Sequence, residues 1–542
     1  MREFCIVPAF SVLVFVLTAV LAQTGRTAIV TACDQGLAIQ GPPGPAQTPA
    51  GSSPVVTEEL IAEKDPSAPV DDEEDVVSRD GRKAAWRTSR ANKWAVMLNG
   101  ERQAGEFDEV HWLIFSRDGQ HFAFRARSGK TWLVVLDAQE SPQRFDEILG
   151  PVFSPDGVRL AYAAKRDKKW FVVVDSHVPE TSYDKVELPL FSQDGRHVAF
   201  CAKRAGKWVV ISDGKEVGPQ FDELVLGMFS PDGQRLAYVG RRGGKWMVAL
   251  DGKEGPPLDL LGGLAFSSDS RRFSYAGADV HKGMGGSKAR GRVVVDGEAG
   301  PEFEGNAVGT FLQNLAAGGV KEIVLGYHFS LFSNIHGVTA PVFSADGSRV
   351  AYAAHRAKDD AAVIVDGQPG PKFPSIVGGP VFSADGRHVA YVVSDEGVKT
   401  LVVDGERVGS GCVPGTDFVF QIVFAPDNRR VGYIGVNGGS WYEQGFTTRA
   451  RRRVYVDGKA GAEYQAQGLA GLRFSPDSRH VTYVVHRLEE SSRTVSFVVV
   501  DTTEGKRYDY VIAATLNTLD DGATTYVAQA GRKFLRVTQP VQ

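Results

Sequence analysis

Short apolar runs alternate with turn residues along most of the chain, and the stretch Phe153–Asp175 (FSPDGVRLAYAAKRDKKWFVVVD) shows the pattern. One apolar run ends at Phe-Ser, Asp-Gly turns the chain, RLAYAA alternates polar and apolar positions, and a basic loop leads into WFVVVD. Alternation bounded by Asp-Gly predicts β-hairpins, because tight primed turns need positive φ. A second Asp-Gly turn then precedes a short fourth run, so each unit predicts four antiparallel strands.

This unit recurs along the chain. The motif FS-x-D-G or a close variant begins at Phe115, Phe153, Phe191, Phe229, Phe266, Phe343, Phe382, Phe424 and Phe474. The first four copies are 38 residues apart, and so are Trp94, Trp132, Trp170, Trp208 and Trp246. A period of about 40 residues with four strands per period is typical of propeller blades. The sequence therefore predicts an all-β β-propeller with four-stranded blades.

The number of blades is less definite. Asp-Gly-type anchors stand at positions 80, 118, 156, 194, 232, 269, 346, 385, 427, 477 and 521. The gap between Phe266 and Phe343 is about two periods, so residues 306–340 hold either a degenerate twelfth unit or an insertion. Because 11–12 units exceed the usual four to eight blades, we expect two tandem six-bladed propellers, at residues 76–304 and 305–542. One large ring is the alternative.

The N-terminal region predicts export. An apolar run over Phe4–Ala22 ending in small residues is typical of a signal peptide over residues 1–22, cleaved after Ala22. An uncleaved anchor and a lipid anchor at Cys33 are the alternatives. Residues 23–75, rich in Pro, Gly and Ser and ending in DDEED, predict a solvated tether. We expect an extracytoplasmic protein, periplasmic or secreted, without a membrane span after cleavage.

Composition excludes some partners and sites. A net charge of −4 and a pI of about 6.3 argue against nucleic acid as a partner. Outside the leader, Cys33, Cys201 and Cys412 are too widely separated for a disulfide framework or a metal site. Cys201 stands in a predicted strand and is interpreted as a small buried thiol.

The unit FSPDGxRLAY, followed by a strand ending in VVD, resembles the repeat of TolB-type, WD-repeat-like (PD-repeat) β-propellers of bacterial envelope proteins. The resemblance covers about residues 77–537 and implies the fold. This chain departs from the TolB pattern in the Lys-Trp before the third strand and in DGKEG-x3-FDE after it. A counterpart of TolB's helical N-terminal domain is not found in residues 23–75, so the resemblance does not extend to TolB's role in its transport complex.

Strand parity places both Asp-Gly turns of a unit on one face, and the 2–3 loops and 4–1 connections on the other. The repeated Asp is interpreted as a cap of its own turn rather than a calcium ligand, and the repeated Phe and Trp as inter-blade core. On the second face, basic 2–3 loops recur beside acidic ends of the fourth strands. These predict ion pairs between neighbouring units, with an anion site as the alternative.

Every length irregularity is expected on this second face, at residues 278–291, 306–340, 437–450 and 487–493. Loops on a rigid scaffold often form binding sites, and aromatic residues with arginine are enriched at binding hot spots. The candidate partner-binding residues are Trp441, Tyr442, Phe446, Arg449, Arg451, Arg452 and Arg453. The alternative is a loop that folds its aromatic residues onto the propeller rim.

Motifs of enzyme chemistry are missing from the sequence: it has no G-x-S-x-G, H-E-x-x-H, Walker loop or dinucleotide fingerprint. We assign no catalytic, cofactor-binding or metal-binding residue. The favoured function is a non-catalytic propeller that binds a protein or other cell-envelope component. A secreted hydrolase or lyase with a central-channel site and a structural scaffold are the alternatives.

Overall fold

A computed structural model describes residues 56–65, 75–283, 286–306, 338–357, 360–395, 398–414, 418–437, 451–466, 468–488, 494–519 and 522–541. Every extended element in these residues is a β-strand, and the strands form eleven antiparallel sheets. We number the sheets as blades 1–11 in the order of the eleven Asp-Gly-type anchors. The predicted all-β propeller with four-stranded blades is confirmed.

Blade 1 contains β2 (Val76–Val77), β3 (Ala84–Arg90), β4 (Lys93–Leu98) and β5 (Glu101–Phe107), and blade 2 contains β6 (Glu109–Phe115), β7 (Phe122–Ser128), β8 (Thr131–Leu136) and β9 (Gln139–Glu140). Blade 3 contains β10 (Glu147–Phe153), β11 (Leu160–Arg166) and β12 (Lys169–Val174). Blade 4 contains β13 (Lys185–Val186), β14 (Leu190–Phe191), β15 (Val198–Arg204), β16 (Lys207–Ser212) and β17 (Lys215–Phe221). Isolated bridges, Trp170–Tyr183 and Val174–His177, take the place of a fourth strand in blade 3.

Blade 5 contains β18 (Glu223–Phe229), β19 (Leu236–Arg242), β20 (Lys245–Leu250) and β21 (Lys253–Glu254). Blade 6 contains β22 (Leu260–Phe266), β23 (Phe273–Gly283), β24 (Gly286–Val295), β25 (Glu298–Ala299) and β26 (Phe303–Asn306). Blade 7 contains β27 (Val342–Phe343), β28 (Val350–Ala357), β29 (Asp360–Val365) and β30 (Gln368–Pro369), and blade 8 contains β31 (Ser375–Phe382), β32 (Val389–Asp395), β33 (Val398–Val403) and β34 (Glu406–Pro414).

Blade 9 contains β35 (Phe418–Phe424), β36 (Val431–Asn437), β37 (Arg451–Val456) and β38 (Lys459–Gln465). Blade 10 contains β39 (Gly468–Phe474), β40 (Val481–Leu488), β41 (Thr494–Val500) and β42 (Thr503–Glu504). Blade 11 contains β43 (Tyr510–Thr518), β44 (Thr524–Ala530) and β45 (Lys533–Gln539), and β1 (Thr57–Glu63) is added at its edge. The first strands of neighbouring blades contact one another around the assembly, so they line a central channel.

The blades form one ring. Blade 6 packs directly on blade 7: Arg272 Nη1 donates to the Ser348 carbonyl at 2.9 Å, and the rings of Phe303 and Tyr352 lie 6.4 Å apart. Blade 11 packs on blade 1 in the same way, with Trp86 stacked on Phe534 at 5.9 Å. The prediction of two tandem six-bladed propellers is therefore wrong, and the alternative of one large ring is confirmed.

The junction between blades 6 and 7 also bears on residues 306–340. Contacts between these two blades repeat those at other junctions, so a twelfth blade does not separate them. Residues 307–337 themselves lie outside the described residues. The assignment of residues 76–304 and 305–542 to two domains stays a prediction, and its boundary coincides with this junction.

The ring is closed by a strand from the N-terminal region. Strand β1 pairs antiparallel with β45, and the Glu58 carboxylate accepts hydrogen bonds from Tyr508 Oη at 2.6 Å and Lys506 Nζ at 2.9 Å. Lys506 and Tyr508, in that order, lower the pKa of Glu58. The tether predicted for residues 23–75 is thus wrong for residues 57–63, which complete blade 11. Hydrogen bonding to β45 and contacts to blade 11 outweigh the polar composition.

The core lies between blades. In most blades an aromatic residue at the end of the fourth strand meets the edge of an aromatic residue on the second strand of the next blade, as in Phe107–Phe124 at 6.1 Å and Phe221–Tyr238 at 6.3 Å. Trp208 is 4% exposed between blades 4 and 5. Such pairs stabilise the ring beyond the burial of area alone. The interpretation of the repeated aromatic residues as inter-blade core is confirmed.

The Ser-x-Asp-Gly turns stabilise themselves. In blade 2, Ser116 Oγ donates to Asp118 Oδ1 at 2.5 Å, the Gln120 amide donates to the same oxygen at 3.0 Å, and the His121 amide donates to Ser116 Oγ at 2.9 Å. The Ser116 hydroxyl, followed by the Gln120 amide, lowers the pKa of Asp118. Gly157, at φ 79°, allows close approach, since a Cβ there would lie 3.0 Å from Asp118 Oδ1. The turn-cap interpretation is confirmed.

In most blades, a basic residue directly before the second strand ties the blade to the next one. Arg159 Nε donates to Asp175 Oδ2 at 2.8 Å, its Nη1 donates to the Arg196 carbonyl at 2.8 Å, and the guanidinium lies 5.3 Å from the Phe191 ring centroid. We call this contact the inter-blade clasp. Arginine occupies this position at 159, 235, 272, 349 and 430, and histidine at 121, 197, 388 and 480. The repeated DG-x-R or DG-x-H pattern was the sequence signal that our sequence analysis missed.

Candidate functional site

The two faces of the ring differ in their connections. Because consecutive strands of each blade are antiparallel neighbours, the 1–2 and 3–4 turns share one face, which we call the turn face, and the 2–3 loops and 4–1 connections share the other, the looped face. The long hairpin β23–β24 belongs to the looped face, and so do the strand ends that flank residues 307–337, 438–450 and 489–493, which lie outside the described residues. The expected one-sided placement is therefore confirmed for β23–β24 and stays a prediction for the other three segments.

The repeated charges on the looped face pair with each other. Asp184, at the start of blade 4, accepts from Lys169 Nζ of blade 3 at 2.7 Å and from the Ala205 amide of blade 4 at 3.1 Å. These donors, Lys169 first, lower the pKa of Asp184. Asp222 repeats the arrangement with Lys207 at 2.5 Å. Ion pairing, rather than a general anion site, accounts for the basic loops, and each exposed pair contributes little stability.

The residues proposed at blade 9 are only partly within the described residues. Trp441, Tyr442, Phe446 and Arg449 lie outside them, whereas Arg451, Arg452 and Arg453 begin β37. Glu463 on β38 pairs with Arg453 at 2.7 Å and with Arg451 at 3.5 Å. Arg452 points to the opposite side of the strand, is 3% exposed, and has a pKa lowered by burial. Arg451 and Arg453 thus stand on one surface of β37, and Arg452 does not.

A second cluster on the looped-face half of the channel wall escaped the sequence analysis. The Arg125 guanidinium lies 5.2 Å from the Trp132 ring centroid and 5.9 Å from that of Trp112, and it donates to the Ile148 carbonyl. The His111 ring lies 6.1 Å from the Trp132 ring. We call these four residues, His111, Trp112, Arg125 and Trp132, the Arg–Trp cluster. All four side chains are half-buried, so each presents part of its surface to solvent.

At the junction between blades 1 and 2, a second arginine lies beside a tryptophan and a histidine. Arg87 of blade 1 donates through Nη1 to the Val110 carbonyl at 2.9 Å, lies 3.3 Å from His111 Nδ1, and stands 4.8 Å from the Trp94 ring centroid. Arg87 and Arg125 occupy the fourth position of their second strands, where other blades have residues such as Ala163 and Val239. An arginine at a position where other blades have an uncharged residue was the sequence signal for this cluster.

Trp112 has an unusual backbone. Its φ is 63°, within a bulge of β6, where the pairing register shifts between His111 and Ile114. The corresponding bulges of other blades place glycine at positive φ: Gly150 at 95°, Gly379 at 83° and Gly471 at 68°. A left-handed tryptophan costs about 1–3 kcal/mol. Such strain concentrates at binding and active sites, so it singles out Trp112.

A second residue with the same bulge serves as a comparison. Gln421 of blade 9 has φ 51°, and its side-chain amide binds the Leu472 carbonyl at 3.0 Å and the Leu472 amide at 3.3 Å. Those two hydrogen bonds join blades 9 and 10, so a structural role accounts for Gln421. The Trp112 ring centroid lies 5.9 Å from the Arg125 guanidinium on the second strand of the same blade.

Titratable groups of the described residues do not assemble into a metal centre, since no group of three or more His, Cys, Asp and Glu side chains has suitable geometry there. His486 is half-buried, lies 2.8 Å from Ser496 Oγ through Nδ1 and stacks on Tyr510 at 5.1 Å. Burial lowers the pKa of His486 to about 4, so it is neutral at physiological pH. Cys201 is 1% exposed, as expected of a buried thiol. Helices long and apolar enough to cross a bilayer are not present in the described part of the chain.

Comparisons with known proteins add little beyond the fold. No protein-family model and no curated protein matches the chain. A eukaryotic initiation factor structure is 12% identical, covers 78% of this chain and 98% of its own, and has a TM-score of 0.35. The propeller domain of the Trilobed protease from Pyrococcus furiosus is 13% identical (59% and 94% covered, TM-score 0.27). TolB from Acinetobacter baumannii is 15% identical (55% and 79% covered, TM-score 0.21). At these values, membership of the TolB-type family stays a prediction.

Proposed function

We propose that this chain is an exported, non-catalytic β-propeller that binds a protein or other cell-envelope component through its looped face. The observation that carries the proposal is the asymmetry of the ring. Short, self-capped turns close the turn face, whereas the long hairpin β23–β24 and the strand ends that flank the other long connections are on the looped face. Variable connections on a rigid scaffold are the usual way in which propellers and other scaffolds present binding residues.

Two places on the looped face supply residues suited to protein recognition. At blade 9, Arg451 and Arg453 extend β37 beside residues 438–450, whose sequence includes Trp441, Tyr442 and Phe446. At blades 2 and 3, the Arg–Trp cluster combines two tryptophans with an arginine and a histidine. Tryptophan, tyrosine and arginine dominate binding energy at interfaces because they bury large areas at low entropic cost.

The Arg–Trp cluster has a feature that packing alone does not require. Glycine would satisfy the positive φ at residue 112 without strain, and glycine stands there in blades 3, 8 and 10. Tryptophan at this position instead adds a large aromatic surface at the channel wall, at the cost of a strained backbone. We assign it to contact with the partner, together with the exposed surface of Trp132.

The test is capture of partners from the native envelope fraction by the mature chain from Gln23. The deciding variant is Trp112→Gly, which replaces the strained residue with the one that other blades use, so the ring is expected to fold. Loss of capture at least tenfold is expected, as for an interface hot spot. Gln421→Gly is the matched control, because it changes the same bulge in blade 9 and should leave capture unchanged.

A second variant lacks residues 438–450 and tests the blade 9 site separately. Reduced capture by this deletion, with unchanged thermal unfolding, supports the assignment of Trp441, Tyr442, Phe446, Arg449, Arg451 and Arg453. If the intact chain captures nothing, or if both Trp112→Gly and the deletion capture as well as the parent, the proposed binding function is overturned.

A further inference from the structure

The opposite mouth of the channel has a concentration of arginine. The turns between first and second strands surround this mouth on the turn face, and each contains one variable residue between Ser and Asp. That residue is Arg79 in blade 1 and Arg117 in blade 2. In the other described turns of this kind it is Pro155, Gln193, Pro231, Ser268, Ala345, Ala384, Pro426 or Pro476. The two positive charges therefore stand on adjacent blades instead of around the whole ring.

A third arginine approaches them from the other side. Arg473 lies on β39 of blade 10, directly before the FS motif, where other blades have apolar residues such as Ile114, Val152 and Val381. Its Nη1 donates to the Leu516 carbonyl on the first strand of blade 11, so the side chain extends along the channel wall towards blade 1. Burial, and then the like charge of Arg79, lower the pKa of Arg473.

The three guanidiniums lack described counter-charges. Most other arginines at this face pair with a carboxylate in their clasp, as Arg235 does with Asp251 at 3.2 Å. None of Arg79, Arg117 and Arg473 forms an ion pair with a carboxylate of the described residues. The pKa of Arg79 is lowered by partial burial and by the charge of Arg117. Arg79 and Arg117 are exposed and Arg473 is half-buried, and neighbouring like charges raise the local positive potential and favour a bound anion.

We propose that Arg79, Arg117 and Arg473 form a binding site for a multivalent oxyanion at the turn-face mouth of the channel. Guanidinium groups match phosphate and carboxylate oxygens through paired N–H donors, and these charge-assisted hydrogen bonds are stronger than neutral ones. The site is independent of the proposed looped-face function, because it lies at the other end of the channel.

Calorimetric titration of the chain with tripolyphosphate and, separately, with citrate tests the site and distinguishes phosphate from carboxylate ligands. Arg79→Gln and Arg117→Gln are each expected to weaken binding about tenfold, as the loss of a charged hydrogen bond predicts. The matched control is the triple variant Arg196→Gln, Arg271→Gln and Arg479→Gln. These arginines are on the same face, with side chains 80%, 85% and 80% exposed.

Unchanged affinity in the control and lost affinity in Arg79→Gln and Arg117→Gln are the expected results. Equal losses in both sets, or no binding of either anion, overturn the proposal. Arg473→Met provides an independent measurement, because apolar residues occupy this position in other blades and the ring should remain folded. This variant is expected to unfold at an unchanged or higher temperature and to bind the anions at least tenfold more weakly; retained affinity would exclude Arg473 from the site.

Discussion

The inter-blade clasp makes a quantitative prediction, because arginine and histidine occupy the same position in different blades. Arg349 of blade 7 pairs with Asp366 at 3.0 Å, donates through Nη1 to the Gly386 and Arg387 carbonyls at 3.0 Å each, and lies 5.4 Å from the Phe382 ring centroid. His388 of blade 8 pairs with Asp404 at 2.6 Å. Arginine therefore binds the following blade through more contacts than histidine does.

The magnitude follows from these contacts. Removing the Arg349 side chain deletes an exposed ion pair worth about 0.2–1 kcal/mol and a cation–π contact worth about 0.5–1 kcal/mol. It also removes a shared charged hydrogen bond to two backbone carbonyls, worth about 1.5 kcal/mol at a partly exposed site. Arg349→Ala should thus lower the free energy of unfolding by about 3 kcal/mol, and His388→Ala by about 1 kcal/mol.

Urea denaturation followed by tryptophan fluorescence measures both variants, provided that the slope with denaturant stays constant. His388→Arg is the reciprocal variant, and it should gain about 1 kcal/mol by adding contacts to blade 9. Equal destabilisation by Arg349→Ala and His388→Ala, or no gain from His388→Arg, would show that the carbonyl and ring contacts do not stabilise the junction.

Ring closure and acid stability give two further predictions. Deleting residues 57–63 leaves β45 as an open edge, so we expect self-association on size-exclusion chromatography. Tyr508→Phe keeps β1 but removes the hydroxyl that donates to Glu58 at 2.6 Å, so it should lower the free energy of unfolding by about 1 kcal/mol and elute as the parent chain does. A monomeric deletion variant would contradict this closure. The Ser344 hydroxyl is the first cause that lowers the pKa of Asp346 to about 2 from 3.8, and hydroxyls likewise lower the pKa of other turn aspartates. Because these folded-state pKa values are depressed, the stabilisation of the fold by the ionised aspartates is complete above about pH 4 and is lost as the pH falls towards 2. Circular dichroism should therefore show acid unfolding between these pH values. An unfolding midpoint above pH 5 would refute the link between these pKa values and stability.

The residues within one blade were predictable from the sequence because their interactions are local. Asp118 caps the turn Ser116–Gly119 through Ser116 and Gln120, and the continuous apolar run LAYAA is typical of a strand buried on both sides. The parity of four consecutive antiparallel strands then assigned every connection to a face. Each of these inferences depends on neighbours within one period of the repeat.

The tertiary structure decided what depends on contacts between distant residues. The blade count of one ring is set by the angle between successive blades and by the junction of Trp86 with Phe534, which are hundreds of residues apart. Strand β1 has an unremarkable polar sequence, and it is a strand because β45 offers a free edge. Likewise, Arg79 and Arg473 are far apart in the sequence, and they lie near each other because closure of the ring brings blades 10, 11 and 1 together around a common channel.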